Sequence, residues 1–585
     1  MRIVFFWFFA LFYCLFAPVY AAENIAFPAD AGFINVRDFG AKGDGTSDDT
    51  AAINAALAAS GEDTKTLFWQ DKIVYFPNGT YIVSAPISKR YAEGRYASGA
   101  IMVGESREKT IIKLKDNADG YAYAAAPRAV IFTTAKLLDG SPTSGGKDYT
   151  NKGEGNDAYA NFVENMTIDV GIGNAGAVGI DYLANNLGAI RAVTVKAGAG
   201  SGAIGINMKR KWIGPALLSD VEVVGFDTGI AVDNSEYGVT LDNVRLKNQK
   251  KFGLSNNQNI ISAHGLVIDG APQKIVNKSP DGMIIQADDR QKWKLPIKSA
   301  PLAPNDAPKK WAAVRVKNME NPDADAASAI REAFNSGAST IYFPHGIYYV
   351  GENIIVPPSV RRIVGMTSTI RPLKPRPATL RRDFGLLRAT GGGEPLTIEH
   401  LAFDNSYLGD QFGFELSGKR TAVLRDVVGA GAGIKRSATG GELFLENISV
   451  AGGLTDISGD SGVWARQLDT EGGGGSTRIV NNGAPFWVLG IKTEGNCTVL
   501  NNKNGANSEI IGGLIYMVRP ADNKRPAFIN ENAKLKASYA EEAFDKKAAY
   551  ETHLLEIKGD NEREVSADML PARAAGRKVE ELVSE

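Results

Sequence analysis

The chain has 585 residues, more than one ordinary hydrophobic core can organise, so several domains or one repetitive solenoid are expected. Its formal net charge is -1, from 65 Lys and Arg against 66 Asp and Glu, and this balance excludes a strongly basic nucleic-acid-binding protein. The 64 glycines favour a turn-rich β protein.

The first 21 residues have the pattern of a secretory signal. Arg2 precedes an apolar stretch over residues 3–16, and Val19, Tyr20 and Ala21 end it at a small-residue cleavage site. The stretch is too short to span a bilayer comfortably, although an uncleaved anchor is the alternative. Cleavage would leave Cys497 as the only cysteine, which excludes an internal disulfide. We expect a secreted protein, periplasmic or extracellular, that is not inserted in the membrane after cleavage.

A sequence duplication divides the chain. The segment KIVYFPNGTYIVSAPI, residues 72–87, matches STIYFPHGIYYVGENI, residues 339–354, and a helical pattern rich in small residues precedes each copy. Ser47 or Asp48 is the predicted N-cap of the first helix. We predict an N-terminal unit, a Pro- and Lys-rich linker, a C-terminal unit and a charged extension, with boundaries at 30–290, 291–310, 311–535 and 536–585. In the extension, a polar hairpin and an edge helix are alternatives.

Short strands of alternating apolar residues recur in both units, each introduced by a residue that is usually Asn or Asp. They start at Asn165, Ala192, Asp220, Asn243, Gly265, His400, Asp426 and Asn447, mostly 21–28 residues apart. That period leaves no room for a helix in each repeat, the leucine-rich frame is missing, and a propeller blade would need about forty residues. The sequence therefore predicts an all-β fold of two tandem parallel β-helices, each beginning with a short capping helix.

Two T-E-G sequences place Glu471 and Glu494 one coil apart, at a spacing of 23 residues. Since neighbouring parallel strands lie ~4.8 Å apart, both carboxylates should share one face of the β-helix. Adjacent carboxylates repel, so their pKa values should diverge, and a glycosidase needs one protonated and one ionised acid. The alternative is a repeated turn with solvated glutamates.

The segment INVRDFGAKGDGTSDDTAAINAAL, residues 34–57, resembles the first segment of the pectate-lyase-like superfamily of right-handed parallel β-helices. Its Asp44, Asp48 and Asp49 are interpreted as turn and cap residues rather than a metal site. The tandem arrangement is similar to glycoside hydrolase family 55, whose members cleave β-1,3-glucan with inversion. That resemblance implies general-acid catalysis by the later glutamate, here Glu494, with Glu471 as its partner. This chain departs from the family in having Gly, not His, after both glutamates.

Other side chains complete the predicted site. Trp487 and Trp464 are candidates for stacking on sugar rings, and Arg466 and Gln467 are candidates for hydrogen bonds to the substrate. Asp169 and Asp404 end equivalent strands in the two units. This equivalence favours a turn role for both, and contact with the substrate is the alternative for Asp404. The four histidines lack the spacing of metal ligands, so we expect neither a metal nor a cofactor. His345 is expected to be exposed at a turn.

We therefore predict a secreted, monomeric glycoside hydrolase that cleaves a neutral polysaccharide such as β-1,3-glucan. Its expected partner is the polysaccharide substrate, and no nucleic acid is expected. Two alternatives stay open from the sequence: a polysaccharide lyase acting on an acidic, pectin-like glycan, and a non-catalytic glycan-binding β-helix protein.

Overall fold

A computed structural model describes residues 24–584, apart from residues 62–69, 92–95, 136–157, 235–236, 318, 320, 407–410, 473–475, 519–524, 544–548 and 574–575. The predicted signal segment lies outside the described residues. The described chain is nearly all β and forms a β-solenoid of about 18 turns with parallel sheets, which confirms the predicted all-β, parallel β-helix class, while the division into two tandem β-helices stays a prediction.

The first half of the described chain contains nineteen strands. They are β1 Ile34–Asn35, β2 Asp44–Asp48, β3 Val74–Phe76, β4 Gly79–Val83, β5 Ile101–Gly104, β6 Thr110–Leu114, β7 Arg128–Phe132, β8 Tyr159–Asp169, β9 Ala177–Asp181, β10 Asn185–Lys196, β11 Ile204–Met208, β12 Ala216–Val224, β13 Thr228–Val232, β14 Val239–Lys247, β15 Phe252–Asn256, β16 Ile260–His264, β17 Val267–Asp269, β18 Gln273–Asn277 and β19 Met283–Gln286.

The second half of the described chain contains the remaining strands. They are β20 Ala312–Ala313, β21 Thr340–Tyr342, β22 Ile347–Val350, β23 Ile354–Ile355, β24 Arg362–Pro372, β25 Gly385–Ala389, β26 Leu396–Asp404, β27 Gln411–Leu416, β28 Ala422–Arg425, β29 Val428–Ala430, β30 Ala432–Arg436, β31 Leu443–Ala451, β32 Thr455–Ser458, β33 Val463–Glu471, β34 Thr477–Asn482, β35 Pro485–Glu494, β36 Thr498–Lys503, β37 Asn507–Met517, β38 Phe528–Glu531, β39 Lys534–Ala543, β40 Thr552–Lys558, β41 Asn561–Ser566, β42 Ala572–Arg573 and β43 Gly576–Ser584.

These strands form two pairs of sheets. A 13-stranded and a 6-stranded sheet are built from β1–β19, and a 14-stranded and a 10-stranded sheet are built from β20–β43. Successive coils add parallel strands in sequence order, such as β8-β10-β12-β14 in the first half and β31-β33-β35-β37 in the second. The first pair of sheets ends before residue 287 and the second pair begins after residue 311, so the change from one pair to the other lies near the predicted linker. The predicted domain boundaries stay a prediction.

Each half begins with a short helix and the duplicated strand pair. Helix α1 spans Thr50–Ala58 and helix α2 spans Ala327–Phe334, while 3-10 turns occupy Val36–Phe39, Pro308–Lys310 and Ala567–Met569. The Asp48 carboxylate accepts the Thr50 N–H, and the Asp325 carboxylate accepts the Ala327 N–H, so an aspartate binds the first helical N–H of each helix. The N-cap of α1 is Asp49, which makes no side-chain cap hydrogen bond, so the predicted N-cap at Ser47 or Asp48 is wrong. No helix in the described ranges is long and apolar enough to cross a membrane.

The duplicated segments share side-chain geometry as well as sequence. The Tyr81 hydroxyl donates to the Pro77 carbonyl at 2.7 Å, and the Tyr348 hydroxyl donates to the Pro344 carbonyl at 2.6 Å. Each tyrosine also meets the preceding phenylalanine edge to face. The Y-F-P-x-G-x-Y pattern therefore encodes one local structure that is used twice.

The repeated Asn or Asp residues have a common backbone conformation. All eight residues that introduce the predicted strands have φ between +49° and +61°, a region that Asn, Asp and Gly tolerate best. In the register of β10 and β12, Arg191 pairs with Ser219 and Val193 pairs with Val221, so Ala192 and Asp220 are stacked bulges. The bulge keeps Leu218 and Val221 both in the core although they are three residues apart.

The two halves pack side by side through their largest sheets. Each half has its own interior core, and a third cluster joins Tyr237, Ile260 and Met283 of the first half to Trp464 and Trp487 of the second. The backbones approach closely at Gly490, where an added Cβ would lie 1.9 Å from the Thr240 hydroxyl oxygen. The contact between the halves is therefore built at specific side chains.

The linker lies along the second half rather than in solvent. Trp293 is fully buried, the Lys294 and Leu295 amides donate to the Glu509 carboxylate, and the Trp464 indole N–H donates to the Pro296 carbonyl at 2.9 Å. A segment without sequence periodicity is thus fixed by contacts to residues far from it along the chain.

Parallel pairing continues into residues assigned above to the C-terminal extension. Strand β39 pairs with β37, and β40 pairs with β38, both in parallel. The chain then reverses in a hairpin in which Lys558 pairs with Asn561, so of the two predicted alternatives the polar hairpin is observed. Strand β43 pairs antiparallel with β39, which covers the last edge of the 14-stranded sheet.

Candidate active site

Glu471 and Glu494 end neighbouring strands of the 14-stranded sheet. They are direct register partners in β33 and β35, as are Asp469 and Lys492 two residues earlier. Because side chains alternate along a strand, all four side chains project from the same face. We call these four residues the acid–lysine cluster.

Lys492 lies at the centre of the cluster. Its Nζ donates to Glu494 Oε2 at 3.0 Å and to Glu471 Oε1, and it lies 3.6 Å from Asp469 Oδ1. The Lys492 side chain is fully buried, whereas the side chains of Glu471 and Glu494 are 19% and 33% exposed. Solvent, or a substrate, can therefore reach the two glutamates but not the lysine that holds them.

The cluster carries more negative than positive charge. Burial alone would lower the pKa of Lys492, but Asp469, Glu471 and Glu494 together raise it well above its ordinary value. Burial raises the pKa of Asp469 well above its usual range, and Glu471 adds to this effect against the attraction of Lys492. Three carboxylates around one ammonium thus favour a retained proton, and Asp469 is the most deeply buried place for it.

The first half of the chain supplies neighbours to this cluster. Lys492 Nζ donates to Asn186 Oδ1 at 3.0 Å and lies 5.3 Å from the centre of the Tyr237 ring. The Tyr237 ring in turn packs on Tyr516, the register partner of Glu494, with centroids 5.6 Å apart. The candidate site is therefore completed only when the two halves meet.

The predicted sugar-stacking tryptophans do not face solvent. Trp487 is 1% exposed and Trp464 is 4% exposed, and both lie in the core between the halves. The Trp464 ring stacks on Phe444 at 5.1 Å. A ring that is covered on its faces offers no surface to a sugar, so the structure gives both residues a packing role instead.

The predicted substrate-binding polar residues also hold the halves together. Arg466 Nε donates to Asp242 at 2.8 Å, and Gln467 Oε1 accepts from the Thr240 hydroxyl at 2.8 Å. Both side chains are buried. Their partners, Thr240 and Asp242, lie in β14 of the first half. A motif within one repeat could not predict these contacts, because they join the two halves.

Asp404 is a turn residue. Its carboxylate accepts the Ser406 N–H at 3.1 Å and pairs with Arg371 at 2.6 Å, and the residue is 4% exposed. The Asp169 carboxylate accepts the Gly171 N–H in the same way. The turn interpretation is therefore correct for both aspartates, and Asp404 is not open to a substrate.

The aspartates of the first segment organise its loop. Asp49 accepts the Lys42 and Gly43 amides, and Asp44 accepts those of Thr46 and Ser47. These bonds lower the pKa of Asp44, with the Ser47 amide contributing most.

His345, expected to be exposed, is half-buried and its Nδ1 lies 3.1 Å from the Met366 carbonyl oxygen.

One group among the described residues has the composition of a metal site: Glu164, His400 and Asp426, on the contact between the halves. Arg191 already donates to both carboxylates, with two bonds to Asp426 of 2.6 Å and 3.0 Å. The guanidinium supplies the positive charge that these acids require, and it would repel a metal cation placed beside it. The donor set therefore fits an internal ion pair better than a metal.

His400 should make folding stability depend on pH. Burial alone would lower its pKa, but Glu164, Asp426 and Glu399 raise it above the ordinary value. The stabilisation from a histidine with a raised folded pKa is fully present below about pH 6.5 and is lost as the pH rises through the folded value. We expect thermal unfolding scans between pH 5 and pH 9 to show this loss, and His400→Gln to remove it.

His345 provides the comparison of opposite sign. Burial lowers its pKa, so its contribution is present above about pH 6.5 and is lost as the pH falls. If the stability of the His400→Gln protein falls above about pH 6.5 as the wild-type stability does, His400 is not the source of the pH dependence.

The sequence contained an unused signal for this site. Asp469 and Lys492 stand two residues before Glu471 and Glu494, and strand alternation places side chains two residues apart on the same face. Their participation could have been predicted from that spacing. Asn186 and Tyr237 could not, because their proximity depends on how the two halves pack.

The described chain is a parallel β-helix in which each half begins with a short helix. Residues 33–275 match the family model described as rhamnogalacturonase A/epimerase, pectate lyase-like, which confirms the resemblance expected from residues 34–57. In whole-chain comparison, the structure of sacteLam55A from Streptomyces sp. SirexAA-E aligns with 93% of this chain and 99% of that one, at 10% identity and a TM-score of 0.48.

Curated relatives match parts of the chain. A "Probable glucan endo-1,3-beta-glucosidase" of Arthroderma benhamiae is 31% identical over 220 residues, 36% of this chain and 21% of that protein. "Alginate lyase 7" of Azotobacter vinelandii is 41% identical over 88 residues, 14% of this chain and 9% of that protein. The match with the glucosidase thus spans about a fifth of its length.

Proposed function

We propose that this chain is a glycoside hydrolase that cleaves a β-1,3-glucan at the acid–lysine cluster. The observation that carries the proposal is the pairing of Glu471 and Glu494 in register around one buried lysine, at a position that solvent reaches. The glucan-cleaving name of the relative that is 31% identical supports the choice of substrate. Secretion and a monomeric state remain parts of this proposal.

The chemistry assigns one role to each glutamate. Glu494, the more exposed, donates a proton to the glycosidic oxygen as the bond to the anomeric carbon breaks. Glu471, which pairs with Lys492, stabilises the positive charge that develops on the sugar ring, while a water molecule supplies the new hydroxyl group. The attacking water loses one proton: to Glu494 if the water enters from the side of the leaving group, or to Glu471 if it enters from the opposite side, in which case exchange with solvent restores the proton on Glu494.

The shared lysine limits the distance between the two acids. Because a hydrogen bond to nitrogen is at most about 3.2 Å long, the two carboxylate oxygens that accept from the Lys492 nitrogen lie within about 6 Å of each other. Carboxyl groups at about 5–5.5 Å act with retention, and those at about 6.5–9.5 Å act with inversion. The anomeric form of the first product, followed by NMR, distinguishes the two courses.

A polysaccharide panel tests the proposed function. The purified protein is incubated with β-1,3-glucan, β-1,4-glucan, alginate and pectin, and both new reducing ends and the ultraviolet absorbance of unsaturated products are measured. Reducing ends from β-1,3-glucan without absorbance are expected. Absorbance with alginate or pectin would instead favour the lyase alternative, which the local similarity to an alginate lyase supports. Neither signal on any polymer would favour a binding protein.

A further inference from the structure

A second cleft lies between the halves, away from the acid–lysine cluster. It has a volume of about 410 Å³, within the range of small-ligand pockets. Its first-half residues, such as Thr194, Glu222 and Arg245, lie in the C-terminal parts of their strands, and its second-half residues, such as Arg362 and Glu399, lie at the starts of theirs. Glu471 and Glu494 end their own strands, so the cleft and the cluster occupy opposite edges of the contact. We call it the interface cleft.

Charged side chains in the interface cleft are fixed in pairs. Arg107 donates to Thr194 Oγ1 at 2.9 Å and to Asp220 at 3.2 Å, and Arg425 donates to Glu446 at 2.8 Å. Pairing fixes the direction of the remaining N–H groups and carboxylate lone pairs. The cleft therefore presents rigid donors and acceptors side by side.

The lining has no dominant charge. Five arginines face six carboxylates and His400, so an ion of either sign gains little from the cleft as a whole. Ile25, Phe27 and Leu302 add an apolar strip, and Leu302 is 57% exposed. This combination suits a neutral ligand that has many hydroxyl groups and some exposed C–H surface.

Arg245 marks where such a ligand would bind. Its half-buried side chain lines the cleft, and no hydrogen bond or ion pair joins its guanidinium to the part of the chain that the structure describes. It lies next to Glu222, its register partner, whose carboxylate pairs with Lys247 at 3.0 Å. A hydroxyl-rich ligand would supply acceptors to Arg245 without adding a charge.

We infer that the interface cleft is a second carbohydrate-binding site, which holds a neutral oligosaccharide outside the catalytic cluster. The inference rests on the proposed function only for the identity of the oligosaccharide, which would be a segment of β-1,3-glucan. In that role the cleft would anchor one part of a polysaccharide while another part of the same polysaccharide is cleaved at the acid–lysine cluster. It would therefore affect the hydrolysis of long substrates and leave that of short ones unaffected.

Titration calorimetry on the full chain tests this inference. The probes are hexasaccharides of β-1,3-linked, β-1,4-linked and α-1,4-linked glucose, and the variants are Arg245→Ala, Leu302→Asp and, as a surface control, Lys274→Ala, whose side chain is exposed on β18. We expect at least tenfold weaker binding at one site in the first two variants and wild-type binding in the control. Hydrolysis of a short β-1,3-linked substrate should be unchanged in all three.

The outcomes separate the cleft from the proposed function. If the protein hydrolyses β-1,3-glucan but the cleft variants bind as the wild type does, the cleft inference alone is wrong. If another of the three hexasaccharides binds in an Arg245-dependent way and no glucan is cleaved, the cleft inference holds and the proposed function fails. If no hexasaccharide binds, the cleft inference is overturned. Thermal unfolding of each variant verifies that it is folded.

Discussion

Glu494→Gln is expected to reduce hydrolysis of β-1,3-glucan by more than a hundredfold, because the amide cannot donate the proton that the leaving oxygen needs. The substitution keeps the size of the side chain and an acceptor for the Lys492 ammonium, which lies 3.0 Å away. Folding should therefore be retained. The measurement is the rate of reducing-end release at saturating polymer, together with a thermal unfolding curve.

A matched control distinguishes catalysis from a general effect of losing a carboxylate. Glu531 is partly exposed at the end of β38, in the 10-stranded sheet, and Glu531→Gln should keep the wild-type rate. A Glu494→Gln protein that is as active as this control would remove Glu494 from the mechanism. The stacked glutamates would then be turn residues, the alternative that the sequence left open.

Lys492→Met should have the second large effect. The change removes the one ammonium among three carboxylates, so the Glu471 and Glu494 carboxylates lose the buried cation that pairs with both. Breaking a buried ion pair from one side costs roughly 3–5 kcal/mol of folding free energy. Without the ammonium, Glu471 and Glu494 also lose the hydrogen bonds that fix their carboxylates, so kcat/KM for β-1,3-glucan should fall by roughly a hundredfold.

Two further variants make the Lys492 result specific. Lys492→Arg retains the positive charge, so it should recover part of the lost stability, although a planar guanidinium cannot reproduce three separate contacts from one nitrogen. Lys503→Met, in β36 of the opposite sheet, should leave kcat/KM unchanged. Unchanged stability and unchanged kcat/KM in Lys492→Met would show that the ammonium does not hold the two glutamates.

The sequence by itself determined the coil and its stacking. The residues that introduce each strand, such as Asn165, Asp220 and Asn447, recur because each must adopt positive φ at a bulge, and few residue types tolerate that conformation. A local backbone requirement repeats with the coil, so it can be read as a period. The same period brought Glu471 and Glu494 into register, since equivalent positions of adjacent coils become neighbours.

Only the tertiary structure decided which side chains are covered. Trp464, Trp487 and Arg466 project from the coil as the glutamates do, yet their surroundings are set by the linker and the first half of the chain, through contacts to Pro296 and Asp242. Such contacts join residues more than 150 positions apart and have no period, so no local pattern encodes them. The acid–lysine cluster stays accessible because it lies at the edge of that contact, and the packing of the two sheets fixes where the edge falls.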